Sequence, residues 1–232
     1  MNFEADIRNY FLIELSPKQV HQFQQYYQFL IEYNLNVNLT AITEQNDVYY
    51  KHFFDSLTAV KFIDFDKVNS ICDMGSGAGF PSIPLKIMFP HLEVTIIDSL
   101  NKRLKFLDQL MNKLEIGQVN LVHDRIENYA IKHQCEFDLV TVRALGDLSL
   151  ICEMGLPMTK INGSFIAYKG SNADDEIVKS TDGIQKLGGK IDFVKTFELP
   201  YGYGHRTIIK ISKIKDIKGF PRSFQLMKKK PL

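Results

Sequence analysis

From Val68 onward the chain repeats one local alternation, and this pattern limits its possible folds more than any other feature. Short runs rich in β-branched and aromatic residues span Val68 to Met74, Glu93 to Asp98, Val119 to His123, Phe137 to Arg143 and Ser164 to Lys169. Between them lie segments with helical spacing, such as Leu104, Leu107, Leu110, Met111 and Leu114. Strand and helix in turn predict parallel βαβ units and a doubly wound sheet. Two last runs, about Lys190 to Glu198 and His205 to Ser212, are joined by the turn-rich Leu199-Pro200-Tyr201-Gly202-Tyr203-Gly204. So short a loop predicts an antiparallel hairpin.

Up to about residue 66 the reading is helical. Ser16-Pro17-Lys18-Gln19 offers a capping serine, a proline at the first helical position and a glutamine that closes a capping box. Val20, Phe23, Tyr27 and Leu30 then share one face, an Asn-rich break follows at Asn34 to Asn38, and a further helix is expected from about Asp47 to Val60. The expected division is a helical extension over 1–66, an α/β domain over 67–213 and a basic tail over 214–232.

The most informative segment leaves the first strand as Asp73-Met74-Gly75-Ser76-Gly77-Ala78-Gly79-Phe80-Pro81. Glycines at alternate positions let the backbone turn tightly and bring its amides close to a ligand. The dinucleotide pattern needs its third glycine one residue later, where Phe80 stands, so NAD loses ground. Asp98 ends the second strand near the ~20-residue distance at which a carboxylate reaches ribose hydroxyls. Loop and acid together predict a cofactor containing adenosine.

Composition narrows the class. The chain has 232 residues and a formal net charge of +1, and its three cysteines, Cys72, Cys135 and Cys152, suit neither a disulfide framework nor a zinc site. Reduced thiols, the lack of a signal-peptide pattern at Met1 to Asp6 and the absence of a run of the roughly 20 apolar residues needed to cross a bilayer predict a cytoplasmic protein. The near-neutral charge is a cancellation: from Lys210 to Leu232 eight basic residues face one acid, so this stretch carries +7 and the remainder −6. Such a stretch predicts a phosphate-rich partner.

The glycine segment resembles motif I of S-adenosylmethionine-dependent methyltransferases, and in particular the GidB, or RsmG, family. The likeness continues through Asn38-Leu39-Thr40, His52-x-x-Asp55-Ser56-Leu57, Ile83-Pro84-Leu85, Asp98-Ser99-x-x-Lys102-Arg103, Arg125-x-Glu127, Arg143-Ala144, Lys169-Gly170 and Pro221-Arg222, and so spans essentially the whole chain. Ser82 departs from it, because the family usually has glycine there. The resemblance implies a Rossmann-like class I methyltransferase with a mainly parallel seven-stranded sheet, a C-terminal antiparallel hairpin and an N-terminal helical cap. It implies transfer of a methyl group from S-adenosyl-L-methionine to N7 of a guanine in bacterial 16S ribosomal RNA. A non-catalytic RNA-binding or assembly factor of the same fold and a small-molecule methyltransferase are the alternatives.

For the cofactor, the resemblance singles out Gly75, Phe80, Ile126, Glu127 and Arg143; Asp98 joins on spacing, and Gly77 and Gly79 on the backbone approach their loop allows. All lie at the expected carboxyl ends of strands, where ligands of such sheets bind. Guanine N7 carries a free lone pair, so positioning is expected to supply the rate, and no catalytic base, metal or nucleophile is assigned. The candidates for RNA are Lys102, Arg103, Arg125, Lys169 and Arg206 around the opening, together with Lys228, Lys229 and Lys230 in the tail. On a regular helix His52 shares a face with Asp55 and Ser56, which makes it a further RNA candidate or a half-buried packing residue. A 16S ribosomal RNA or small-subunit substrate, no membrane and a monomeric state complete the expectation.

Overall fold

The computed structural model describes residues 1–170 and 173–232. It begins with α1 (Phe3–Phe11) and α2 (Pro17–Val37). The expected capping box is formed, with Ser16 Oγ accepting from the Gln19 N–H and the Gln19 side chain accepting from the Ser16 N–H. The Asn-rich break is the helix end: Asn38 adopts a left-handed conformation with φ of 50°, and Asn34 Oδ1 accepts from the N–H groups of Leu39 and Thr40 at 2.6 and 2.9 Å.

The helix expected over Asp47 to Val60 is not one regular helix. It consists of α3 (Gln45–Val48), a π-helical turn (Tyr49–Phe54), α4 (Asp55–Leu57) and a 3-10 turn (Thr58–Lys61). Its aromatic residues explain the wider turn. Tyr49 packs on Phe3 and Tyr27, Tyr50 stacks on Tyr203, Phe53 meets Tyr26 and Phe80, and Phe54 meets Tyr10 and Phe11. Partners on so many sides favour spreading the rings beyond a single helical stripe, and π turns of this kind recur at functional sites.

The sheet follows, with β1 (Ser70–Met74), β2 (Glu93–Asp98), β3 (Val119–His123), β4 (Phe137–Arg143), β5 (Thr159–Lys169), β6 (Gly189–Glu198) and β7 (His205–Lys213). Their order is β3-β2-β1-β4-β5-β7-β6. The pairs among the first five strands are parallel, while β7 is antiparallel to both β5 and β6. Both the crossover pattern and the terminal hairpin are as expected. β5 starts earlier than the sequence suggests, because Asn162-Gly163, which resembles a turn, is absorbed within the strand: Asn162 has φ of +67° and a Cβ on Gly163 would lie 2.8 Å from the Asp138 carbonyl.

The crossover helices α5 (Ser82–Met88), α6 (Asn101–Leu114), α7 (Ile126–Lys132), α8 (Leu148–Gly155) and α9 (Ala173–Lys186) cover both faces. One core joins α5 and α6 to the N-terminal helices through Phe23, Tyr26, Leu30, Phe53, Ile83 and Leu107. The other joins α7, α8 and α9 through Ala130, Ile151, Met154 and Ile184. Coverage on both faces explains why β1 and β4 are buried along most of their length without alternation. No helix among the described residues is long and apolar enough to cross a membrane.

The basic tail is a folded strap. Arg222 grips buried Glu153 of α8, with its Nε and one terminal nitrogen each 2.6 Å from a carboxylate oxygen and its backbone N–H donating at 3.1 Å. A final helix, α10 (Phe224–Lys229), then places Met227 in the second core. Several cations of the +7 stretch therefore serve the fold: Lys213 is buried and donates to the Leu156 carbonyl, Lys218 pairs with Asp216, and Lys210 pairs with Asp192.

Breaking the Arg222 clasp leaves Glu153 buried without its partner, a change that costs about 3 kcal/mol or more when a buried ion pair is halved. Arg222→Ala is expected to lower stability by that order in urea unfolding, and Arg222→Lys to recover only part of it because a single ammonium cannot reproduce the fork.

Candidate active site

Chain order places β1 where the sheet switches direction: β2 and β3 extend on one side of it and β4 and β5 on the other. The crevice beyond the carboxyl ends of such strands is where doubly wound sheets bind ligands. The glycine loop leaves β1 at this point. Gly75 has φ of +69°, donates its N–H to the Ile97 carbonyl at 2.8 Å and lies against Leu145, whose side chain a Cβ would meet at 3.2 Å. Gly79, with φ of +101°, is crowded instead by the N-terminal layer: a Cβ there would fall 2.7 Å from the Tyr26 hydroxyl. Gly77 has open space around it and a φ of +63°.

Two chambers open beside this loop. The first, about 290 Å³, is lined by Gly75, Ile97, Asp98, Ser99, Arg103, Asp124, Arg125, Ile126, Glu127, Leu145, Gly146, Leu150, Met154 and Phe224. Four of the expected cofactor residues, Gly75, Asp98, Ile126 and Glu127, thus share one space. Asp98 Oδ1 accepts from the Leu100 N–H at 2.8 Å, and its Oδ2 receives Arg103 at 3.2 Å. Glu127 receives Arg125 Nε at 2.5 Å. Arg103 and Arg125, expected at the RNA rim, therefore stand beside the two acids of this chamber.

The second chamber, about 400 Å³, is lined by Ile42, Lys51, His52, Asp55, Arg143, Ala144, Leu145, Gly146, Tyr168, Lys169, Gly170 and Arg206. Leu145 and Gly146 belong to both chambers and form their shared wall. Asp55 is the hub of the second: its Oδ2 lies 3.1 Å from Arg143 and 3.0 Å from Arg206. Arg143 also donates to the carbonyls of Lys51 and His52, at 3.3 and 3.4 Å, where the π turn presents them. Its guanidinium lies 4.9 Å from the centre of the Phe80 ring. Arg143, expected at the cofactor, thus ties β4 to the helical layer and lines the neighbouring chamber.

Phe80 also turns towards this layer. Its ring stacks on Tyr26 at 5.5 Å and on His52 at 4.5 Å, so its side chain braces the glycine loop from behind. The Tyr26 hydroxyl donates to the Ala78 carbonyl and fastens the loop from the same side. His52 Nε2 meets Thr40 Oγ1 at 3.0 Å and Nδ1 faces Arg143 at 3.3 Å. Burial first, and Arg143 second, push this imidazole down to about 3. It enters the site as a neutral ring and not as a cation for phosphate. His52 and Asp55 both line the second chamber, joined through Arg143, and Ser56 Oγ donates to the His52 carbonyl at 2.5 Å.

Beneath the loop, Asp73 is fully buried and accepts from the Ser82 N–H at 3.1 Å. Burial pushes its carboxyl up to about 7, opposed by Ser82 and by the charge of Arg143. Among the described residues Asp73 Oδ1 and Ser76 Oγ are buried without a hydrogen-bond partner, leaving polar capacity directly under the glycine loop.

The remaining cations are dispersed. Lys169 borders the second chamber but is held by Glu176 at 2.6 Å and the Gly146 carbonyl at 2.7 Å. Lys102 is exposed on α6 and reaches the Val37 carbonyl at 3.4 Å. Lys228, Lys229 and Lys230 are exposed at the end of the strap. Sequence reading missed Leu145 and Phe224 as lining residues. Leu145 carries no chemical signature, although its neighbours Arg143-Ala144 do; Phe224 stands in the basic C-terminal stretch, far in sequence from the strand ends that mark the site.

An α/β sheet with this order and a glycine loop over an acid-lined cleft define the class I methyltransferase fold. A solved 16S rRNA (adenine(1408)-N(1))-methyltransferase mutant with cosubstrate SAM, from Catenulisporales acidiphilia, matches with a TM-score of 0.54 at 15% identity, covering 67% of this chain and 87% of that one. M. jannaschii TYW2 in complex with AdoMet matches with a TM-score of 0.57 at 14% identity, over 75% and 80% of the two chains. These likenesses establish the fold. Residues 19–208 match the GidB family, described as rRNA small subunit methyltransferase G, and the chain belongs to that family. Proteins named ribosomal RNA small subunit methyltransferase G are 45% identical in Bacillus subtilis (strain 168), covering 95% of this chain and 93% of the relative, and 49% identical in Bacillus cytotoxicus, covering 90% and 89%.

The neutral histidine has a measurable consequence. The unfolded chain takes up a proton at His52 near pH 6.5, whereas the folded one resists it until about pH 3. Stability from this group is complete above pH 6.5 and is lost as pH falls towards 3. His52→Gln is expected to flatten the acid limb of the Tm-against-pH curve over that window.

Proposed function

We propose that this chain transfers the methyl group of S-adenosyl-L-methionine to N7 of a guanine in 16S ribosomal RNA, within the small subunit or a precursor of it. The observation that carries the reading is the pair of chambers meeting at Leu145 and Gly146: one has the acids and apolar walls that suit adenosine, and the other is a larger, cation-lined space that suits a nucleobase. When bound, the cofactor supplies an electrophilic methyl on a sulfonium.

The cofactor chamber fits that group. Asp98 and Glu127 offer acceptors for ribose hydroxyls and adenine, and Ile97, Ile126, Leu150 and Met154 give an apolar bed. The unpartnered Asp73 Oδ1 and Ser76 Oγ are suited to an ammonium or a bridging water near the methionyl end. Gly75 keeps the loop close to the cleft, and Tyr26 and Phe80 keep it from yielding backwards.

In the second chamber the chain's task is orientation. Arg206, Lys51 and Lys169 supply donors that suit guanine O6 or its phosphates, leaving the N7 lone pair to face the wall at Leu145. Because N7 needs no deprotonation, a neutral His52 and an Asp55 committed to two arginines suit this acceptor. Proximity and exclusion of water then supply most of the acceleration. Exposed Lys102 and the Lys228 to Lys230 cluster give a sequence-independent grip on phosphate. A substrate of this kind places the protein in the cytoplasm, and the reading takes it to act as a monomer.

Recombinant protein with labelled S-adenosylmethionine and unmodified small subunits is expected to yield 7-methylguanosine in 16S ribosomal RNA. Label on another base, on protein or nowhere would sink the reading. Asp98→Ala is expected to weaken S-adenosylhomocysteine binding about tenfold, the loss of a hydrogen bond to a charged group. Replacing Lys229 and Lys230 together by Ala should weaken RNA binding and flatten its salt dependence while leaving cofactor affinity unchanged.

A further inference from the structure

The C-terminal strap reaches further than a surface for RNA. Phe224, the first residue of α10, lines the cofactor chamber although it lies beyond the last strand, far down the chain from the strand ends that build the rest of the wall. Its ring carries the Arg125 guanidinium on one side, 4.9 Å from the centroid, and the Lys228 ammonium at 5.1 Å. Arg125 is itself fixed by Glu127, two residues further along at the start of α7, and both line the same chamber. Leu150 and Met154 of α8, the helix on which the strap packs, line the same chamber.

The strap is held firmly enough for this ring to be a wall. Two residues before Phe224, Arg222 makes its two-pronged bond to buried Glu153, which neighbours Met154 on α8. Three residues after it, Met227 is buried in the core beneath. Phe224 is therefore pinned on both sides while its ring remains only partly covered. An aromatic face, a guanidinium plane and apolar side chains around a slot are the surroundings in which a purine stacks.

We propose that Phe224, with Arg125 layered on it, is an adenine-binding residue of the cofactor site, so that the strap bearing the Lys228 to Lys230 cluster closes directly on the bound nucleoside. This rests on the methyltransferase reading above and extends it to a residue that lies beyond the family match at 19–208. A consequence is that cofactor and RNA share one short helix: adenine touches its first turn, and phosphate is met by its last.

The chain contains no tryptophan, so Phe224→Trp creates a single fluorescent reporter at the wall. On titration with S-adenosylhomocysteine, its emission is expected to change in step with binding, and its Kd to stay within about threefold of the native protein measured by calorimetry. Phe224→Ala is expected to raise that Kd about tenfold, within the range of a lost base-to-aromatic stack. Its unfolding by urea, followed by circular dichroism, checks that the strap remains folded; Phe224→Leu, which keeps apolar bulk without a π face, should fall between the two. Adenosine alone should show the same ranking, whereas methionine should show none. Native affinity in Phe224→Ala, or tryptophan emission from the Phe224→Trp variant that is indifferent to ligand, overturns the assignment. Failure of the native protein to bind S-adenosylhomocysteine would overturn the methyltransferase reading as well, so the two failures are distinguishable.

Discussion

The site depends on one buried carboxylate. Asp55 sits on the helical layer, yet both arginines it holds belong to the sheet, Arg143 at the end of β4 and Arg206 at the start of β7. Removing three charges from water is expensive, and such a cluster is worth keeping chiefly for the arrangement it specifies. Here it fixes the distance between the π turn and the sheet edge, and that gap is the second chamber. With Arg143 held, Phe80 is clamped between Tyr26, His52 and a guanidinium, and the glycine loop above β1 inherits its position from behind. The cofactor side needs no comparable cluster, because strand ends already set its acids in place.

Much of this was legible in the sequence, and the rest failed for physical reasons. Strands and crossovers could be read because a sheet covered on both faces needs continuous apolar runs of limited length. Gly75, Asp98, Ile126 and Glu127 could be brought together because strand order alone converges their ends. The π turn could not be foreseen, since its cause is the set of rings from Phe3 to Tyr203 that surround it, none of them local. Arg143 and Phe80 were marked as site residues, but the direction of their side chains depends on the same non-local layer. The burial of His52, which removes its charge, follows from that packing too.

The charge count shows a similar limit. A +7 terminus reads as a phosphate-seeking tail only if its members are free. Arg222 and Lys213 are instead structural, one gripping Glu153 and the other capping a buried carbonyl, and Lys210 and Lys218 have acidic neighbours. What remains exposed at the end, Lys228 to Lys230, is a smaller but better placed cluster, carried on a strap whose root is anchored beside the cofactor cleft.

The π turn also bears on how the chain can vary in length. A helix in which one residue is accommodated by a wider turn is out of phase, by about 100°, with the helix it would become if that residue were removed. Tyr49 to Phe54 therefore sets the angular phase of everything on either side of it. Deleting one position would restore regular winding but rotate Asp55 away from its two arginines, or Tyr50 away from Tyr203. Substitutions can be absorbed here one ring at a time, whereas insertions and deletions cannot, and this short segment is expected to keep a constant length wherever the two-chamber arrangement is retained.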